Sequence, residues 1–148
     1  MPPRMSARVR DRQGDENMKT YRIEEAHSGE EDGEYLWVTL GFASEDNPLD
    51  VLHIVCSCEI EPQDRDGGMD AIYLERDDQS RGGYSGAERI AVGERSVEVV
   101  FNPAGLRDLE FGDSLNLQWP APLAGKAEAL RILARMREYE CGRVIESV

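Results

Sequence analysis

The side chains that could act as nucleophiles, bases or metal ligands are few, because the chain has two histidines and three cysteines. Cys56 and Cys58 lie two residues apart in an apolar stretch, so a strand would place both on one face and His53 on the other. His53 is therefore not positioned to activate either thiol. A Cys-x-Cys pair without a second Cys or His cluster is not a zinc-binding pattern, and three thiols cannot all pair within one chain. We predict no metal, no cofactor and no catalytic residue, and thiols that are buried in a reducing compartment.

Glycines around Ser85 could suggest a hydrolase or a phosphate-binding loop. Ser85 follows Gly83 at the spacing of a nucleophile elbow, but position 87 is Ala87, where that motif requires glycine. No Lys-Ser or Lys-Thr pair follows the glycines, and the acidic surroundings would repel a phosphate group. We therefore predict a flexible turn at this point.

Acidic side chains cluster just before these glycines. Glu75, Asp77 and Asp78 could work as general acids and bases, but among 30 Asp and Glu residues such clusters arise by chance. They also lack the regular spacing of a calcium-binding loop. Carboxylates mixed with an amide and aromatic rings suit contacts with Arg and Lys side chains of another protein, although an ordinary solvated loop is the alternative. We predict a partner-binding site of six residues: Tyr73, Glu75, Asp77, Asp78, Gln79 and Tyr84.

The chain is strongly acidic, since 17 Lys and Arg residues against 30 Asp and Glu residues give a formal net charge of −13. Such a chain repels nucleic acid and anionic lipid, whose binding depends on Lys and Arg. It attracts a basic protein and accelerates association with it, although solubility alone would also explain the acidity. The apolar stretches are far shorter than the roughly 18 residues that span a bilayer. We predict a protein partner, no nucleic-acid partner and no membrane partner.

The first 17 residues differ from the rest of the chain. Their four arginines are followed by polar and acidic residues, not by the apolar run of a secretion signal. Met18 begins a sequence, Met-Lys-Thr-Tyr-Arg-Ile, that is typical of a translation start. We expect residues 1–17 to be a disordered extension, residues 18–148 to form one domain, and the protein to be cytoplasmic.

Several short segments have the composition of strands and must position the candidate residues. The segments 35–42 and 51–60 predict an antiparallel pair, and the short turn at residues 93–94 predicts a hairpin between its flanking strands. Segments 27–34 and 77–86 are polar and Gly-rich, which predicts exposed loops. Segments rich in apolar, β-branched or aromatic residues lie at 20–24, 35–42, 51–60, 70–76, 88–92, 96–101 and 114–118.

Two helices are predicted in the second half of the chain. Asn102 and Pro103 are typical of the start of a short helix over residues 104–109. Between residues 123 and 140 the apolar period becomes helical, and the apolar stripe consists of Ala129, Ile132, Leu133, Met136 and Tyr139. The sequence thus predicts an α+β fold: a mainly antiparallel sheet of about six strands, one short helix, and a C-terminal amphipathic helix that packs on the sheet.

The stretch Tyr-Leu-Glu-Arg-Asp-Asp-Gln at residues 73–79, followed by Gly-Gly-Tyr-Ser-Gly at residues 82–86, resembles the central motif of the immunity protein 10 family. A weaker similarity extends over roughly residues 35–118. The resemblance implies an immunity protein of a bacterial polymorphic toxin system, which is made in the producer's cytoplasm and blocks a toxin domain. Many such toxins are nucleases with basic substrate channels, which an acidic protein would complement.

Two other classes of function are compatible with the sequence. A regulatory or adaptor protein would bind a host protein that is not a toxin, and a small enzyme would need a pocket near Glu75 and His53. A toxin gene immediately upstream would favour the immunity function, whereas a metabolic operon would favour the alternatives.

Overall fold

The computed structural model describes residues 18–148, and the side chains of all of these except residues 78–80. The extension predicted for residues 1–17 lies outside this range. Within the described residues, nine strands form one sheet with the order β5-β4-β3-β2-β1-β8-β7-β6-β9. The strands are β1 (Met18–Glu31), β2 (Tyr35–Phe42), β3 (Asp50–Ser57), β4 (Tyr73–Arg76), β5 (Asp78–Tyr84), β6 (Ala87–Val92), β7 (Ser96–Phe101), β8 (Ser114–Gln118) and β9 (Ile145–Ser147). The helices are α1 (Pro62–Asp66), α2 (Pro103–Leu109), α3 (Lys126–Met136) and a 3₁₀ turn at Glu140–Gly142.

The long strand β1 joins two halves of the sheet. Its first part, from Met18 to Arg22, pairs with β8 in parallel, and its later part pairs with β2 in the antiparallel sense. The pairing of β6 with β9 is also parallel. The predicted α+β class is confirmed, but the prediction of about six strands is wrong, because the described sheet has nine strands and is mixed.

The additional strands lie where the sequence lacks a strand pattern. β5 occupies most of the segment 77–86, and β1 continues into the segment 27–34, both of which were predicted as loops. β9 is three residues long. Each of these segments pairs along its backbone with a neighbouring strand, so tertiary pairing overrides a weak local preference.

The alternation of buried and partly exposed residues along each strand shows which face of the sheet packs into the core. In β2, Leu36, Val38, Leu40 and Phe42 are buried, while the residues between them are partly exposed. Burying such side chains contributes roughly 1.5 to 3 kcal/mol each, so a shift of one residue in the strand would be strongly unfavourable. The predicted β2–β3 pair and β6–β7 hairpin are both confirmed.

Helix α3 packs on the core face through Ala129, Ile132, Leu133 and Met136. It is shorter than the predicted segment 123–140, and Gly125 explains where it begins. Gly125 has a φ of +90°, and a Cβ atom at this position would lie 2.2 Å from the carbonyl oxygen of Ala26. This close approach to β1 permits only glycine, so the chain turns into the helix here.

The start of α2 follows the prediction. The Asn102 side chain accepts a hydrogen bond from the Gly105 amide at 2.9 Å, and Pro103 occupies the first helical position. The helix ends at Glu110, whose φ of 59° is left-handed. No helix in the described range is long and apolar enough to cross a membrane.

Candidate functional site

Helices α2 and α3 pack on the core face, so the outward side chains of β1–β5 form a second surface, which we call the open face. On β2 and β3 these outward residues are half-buried by their neighbours in the sheet, except for the more exposed Tyr35. The strand register arranges them in two rows that cross five strands. The aromatic row consists of Gly29, Trp37, Val55, Tyr73 and Tyr84, and the polar row consists of His27, Thr39, His53, Glu75 and Gly82.

The aromatic row is closely packed within the sheet. The Trp37 indole lies across Gly29, where a Cβ atom would come within 3.1 Å of the ring. The rings of Tyr73 and Tyr84 are 5.0 Å apart between centroids and tilted by 56°, a favourable aromatic arrangement. Tyr84 remains 40% exposed. The row therefore presents aromatic surface that is already ordered.

Glu75 is held in place by its neighbour on the same strand. The Tyr73 hydroxyl donates a hydrogen bond of 2.8 Å to the Glu75 carboxylate. Burial, together with this hydrogen bond and the negative charge of Glu75, raises the pKa of Tyr73 to about 12. Tyr73 thus stays a neutral donor at physiological pH, and Glu75 offers an oriented acceptor for a cationic side chain.

His53 lies in the middle of the polar row. Its Nδ1 atom is 2.5 Å from the Thr39 hydroxyl, and its ring is 6.2 Å from the Trp37 ring between centroids. Burial lowers the pKa of His53 and outweighs the opposing attraction of the Glu75 charge. His53 is therefore neutral near pH 7. Cys56 points into the core, so the predicted separation of this histidine from that thiol is confirmed.

Other catalytic arrangements gain no support from the described residues. Among the side chains that the structure describes, no group of three or more His, Cys, Asp or Glu residues is placed to hold a metal ion. Ser85 is exposed in the turn between β5 and β6 and has a left-handed φ of 61°. The turn predicted for this glycine-rich stretch is found only at Ser85 and Gly86, because Gly82 and Gly83 belong to β5.

Three of the six predicted site residues meet on the open face: Tyr73, Glu75 and Tyr84. Asp77 is exposed between β4 and β5, next to an irregularity in their pairing. Asp78 and Gln79 begin β5, and their side chains lie outside the described part of the structure. The predicted segment therefore forms one end of a larger surface.

Sequence reasoning missed the other half of this surface. Trp37 and Thr39 alternate with buried residues along β2, and Val55 does the same along β3. This alternation can be read from the sequence, and it predicts that the outward residues of each strand share one face. The cross-strand register that places them beside Tyr73 depends on distant pairing and was not visible.

Arg76 belongs to the same sequence stretch as the predicted site but points into the core. Its guanidinium group binds the Asp50 carboxylate at 2.7 and 3.2 Å, and both residues are almost fully buried. Burial acts to raise the pKa of Asp50, but hydrogen bonds from Arg76 and Ser44 outweigh burial and lower it. The pair fixes β4 against β3 from behind the open face.

Arg76 also connects the sheet to α2. It donates hydrogen bonds of 3.0 Å to the carbonyl oxygens of Leu109 and Glu110, and it lies 4.0 Å from the centre of the Phe111 ring. A cation at this end satisfies carbonyl groups that the helix leaves free. One buried side chain thus joins β4, β3 and the end of α2.

These residues define a class of structure: a mixed-sheet α+β domain with two helices packed on one face and aromatic and polar side chains on the other. The sequence model of the immunity protein 10 family matches residues 20–127. This match covers more than half of the chain, so the chain belongs to the immunity protein 10 family. It confirms the resemblance and extends it from β1 to the start of α3. Comparisons with curated proteins and with solved structures give no significant match.

Proposed function

We propose that this immunity protein binds a toxin domain of a bacterial polymorphic toxin system in the cytoplasm and neutralises it by covering a basic active site. Membership of the family implies a toxin as the partner in general terms. The open face supports the mode of binding, because it combines ordered aromatic rings with an oriented carboxylate. The net charge of −13 supports a basic partner.

The aromatic row supplies the anchors of the proposed interface. Trp and Tyr are the side chains that most often dominate binding energy when they fill pockets on a partner. Trp37 and Tyr73 are held by packing within the sheet, and Tyr84 projects furthest into solvent. Because these rings are ordered before binding, little conformational entropy is lost when a partner docks.

The carboxylates supply the charge complementarity. Glu75 lies beside the anchors, and the exposed Asp77 lies at the end of the same strand. Both can accept hydrogen bonds from Arg or Lys side chains that otherwise hold a phosphate group of the toxin's substrate. In this arrangement exposed acids accelerate association, and the buried centre of the interface determines how long the complex lasts.

The charge contribution is tested with a candidate toxin domain as the binding partner. The Asp77→Lys/Asp78→Lys variant should lower the association rate roughly tenfold at low salt and weaken protection of cells that express the toxin. The matched control is Glu88→Lys/Glu138→Lys, which changes net charge equally at exposed positions outside the open face. Equal effects of the two variants would show that only overall charge matters, and unchanged association in both would contradict the charge contribution.

The anchor contribution is tested separately. Trp37→Ala should raise the dissociation constant roughly 30-fold or more, mainly through faster dissociation, because it removes a central aromatic contact. Leu106→Ala removes an exposed apolar side chain from α2, outside the open face, and should leave the affinity unchanged. Wild-type affinity of a folded Trp37→Ala variant would exclude the open face as the binding surface.

A further inference from the structure

Two thiols from distant parts of the chain meet in the core. The sulfur atoms of Cys56 on β3 and Cys141 in the 3₁₀ turn are 2.6 Å apart, although 85 positions separate the residues in sequence. Both side chains are buried, with 0% and 3% of their residue surface exposed. A disulfide bond is about 2.05 Å long, so a small movement would bring the two sulfur atoms to bonding distance. Neither the open face nor the proposed binding mechanism uses this pair.

The two thiols differ in their surroundings. Cys141 lines a surface pocket of about 180 Å³ together with Asp70, Ser85 and Arg143, whereas Cys56 lies behind it. A hydrogen bond from the Cys56 thiol lowers the pKa of Cys141 in spite of burial. Donating this hydrogen bond, together with burial, raises the pKa of Cys56. Cys141 is thus the accessible member and the better nucleophile of the pair.

We propose that Cys141 and Cys56 form a redox-active pair that reacts with small-molecule disulfides entering this pocket. The Cys141 thiolate attacks one sulfur of the reagent, forms a mixed disulfide and releases one thiolate. Cys56 then loses its proton and attacks the Cys141 sulfur, which forms the Cys56–Cys141 bond and releases the second thiolate. The protein loses two protons and two electrons in total, and the reagent becomes two thiols.

The bond would connect β3, which carries His53 and Val55 of the open face, to the segment that follows α3. Closing a loop of this length restricts the unfolded chain strongly. We expect Tm to rise by roughly 5 to 15 °C on oxidation and to return to its original value after reduction. The third thiol, Cys58, lies beyond the end of β3 and takes no part in the exchange.

The experiment treats the purified full-length chain with hydroxyethyl disulfide, which is small and uncharged. Oxidation should lower the protein mass by about 2 Da, reduce the denatured thiol count from three to one, and yield a proteolytic peptide pair that links Cys56 to Cys141. The Cys58→Ser variant should react in the same way and retain no free thiol. A stable adduct without loss of two hydrogens, or a Cys56–Cys58 linkage, would overturn the proposal.

A variant of the attacking residue completes the test. Cys141→Ser should remain fully reduced at Cys56, because the buried Cys56 thiol is not reached directly from the pocket. A thermal melt of this variant reports whether it is folded. Rapid modification of Cys56 in a folded Cys141→Ser protein would also contradict the proposed order of attack. The wild-type mass and thiol count test the bond itself even if the variant does not fold.

Discussion

Arg76 shows how one side chain can support a surface that it does not reach. Its guanidinium group binds Asp50 and two carbonyl oxygens at the end of α2, entirely within the core. Its neighbour Glu75 points the opposite way, onto the open face. Because β4 has only four residues, this buried anchor fixes the position of Tyr73 and Glu75.

We expect Arg76→Met to reduce the free energy of unfolding by about 3 to 5 kcal/mol, because it leaves the buried Asp50 carboxylate without its cation. Urea unfolding measures the loss. Arg22→Met, at an exposed position of β1, should change stability by less than about 0.5 kcal/mol. The double variant Asp50→Asn/Arg76→Met should lose less than the sum of the single variants, and strict additivity would argue against a coupled pair.

The depressed pKa of Asp50 predicts a dependence of stability on acid. An unfolded Asp titrates near pH 4, so on acidification the unfolded chain binds this proton before the folded protein does. The contribution of Asp50 is therefore complete above about pH 5 and is lost as the pH falls from about 4 through the folded pKa. The difference in unfolding free energy between wild type and Asp50→Asn, measured in urea from pH 7 to pH 3, should shrink at the acidic end. A difference that is constant over this range would contradict the assignment.

Among the elements, β5 contributes Tyr84 and Gly82 to the open face, and Gly82 makes room for a ring of β4. A Cβ atom at Gly82 would lie 2.7 Å from the Tyr73 hydroxyl oxygen and 3.1 Å from the Leu74 carbonyl oxygen. The Tyr73 side chain therefore depends on a glycine in the adjacent strand, much as the Trp37 indole depends on Gly29. Small residues in one strand make room for large rings from the next.

Gly82→Ala should displace the Tyr73 hydroxyl from Glu75, because the end of this side chain can move, while the Leu74 carbonyl group must shift by a few tenths of an ångström. The pKa of Tyr73 should then fall from about 12 toward the ordinary value near 10, which ultraviolet titration of tyrosinate detects. Gly93→Ala is the matched control, since its Cβ atom would make only ordinary contacts with Val148 at 3.6 Å. An unchanged tyrosine titration in Gly82→Ala would show that Tyr73 does not depend on this glycine.

An element can be predicted when its local sequence determines it, and cannot when pairing with a distant segment determines it. The alternation in Tyr35–Phe42 specifies both a buried and an outward set of residues, so β2 and its two faces follow from local sequence. The segment Asp78–Tyr84 has polar residues and two glycines, and it is a strand because β4 pairs with it. Arg76 points inward, on the same face of β4 as Leu74. A charged residue is not predicted to be buried from local sequence, and the ion pair with Asp50 that permits its burial depends on distant pairing.

At the scale of the whole molecule, the excess of acidic residues should control how quickly a basic toxin is found. Raising the salt concentration from about 50 to 500 mM shortens the screening length several-fold and should lower the association rate by about tenfold or more. The dissociation rate should change much less, because it depends on the anchors at the centre of the interface. Stopped-flow mixing with the toxin domain measures both rates. An association rate that does not depend on salt would contradict electrostatic steering.

The parallel pairing of β1 with β8 also has a consequence for the order in which the molecule forms during translation. Residues 18–22 leave the ribosome almost a hundred positions before their partners at residues 114–118. Until β8 is synthesised, the nascent chain can assemble β1 to β5 but leaves the other side of β1 without hydrogen-bonding partners. Completion of the sheet must wait for this late, non-local pairing. We therefore expect this pairing to be the slow step of folding and the stage most exposed to aggregation.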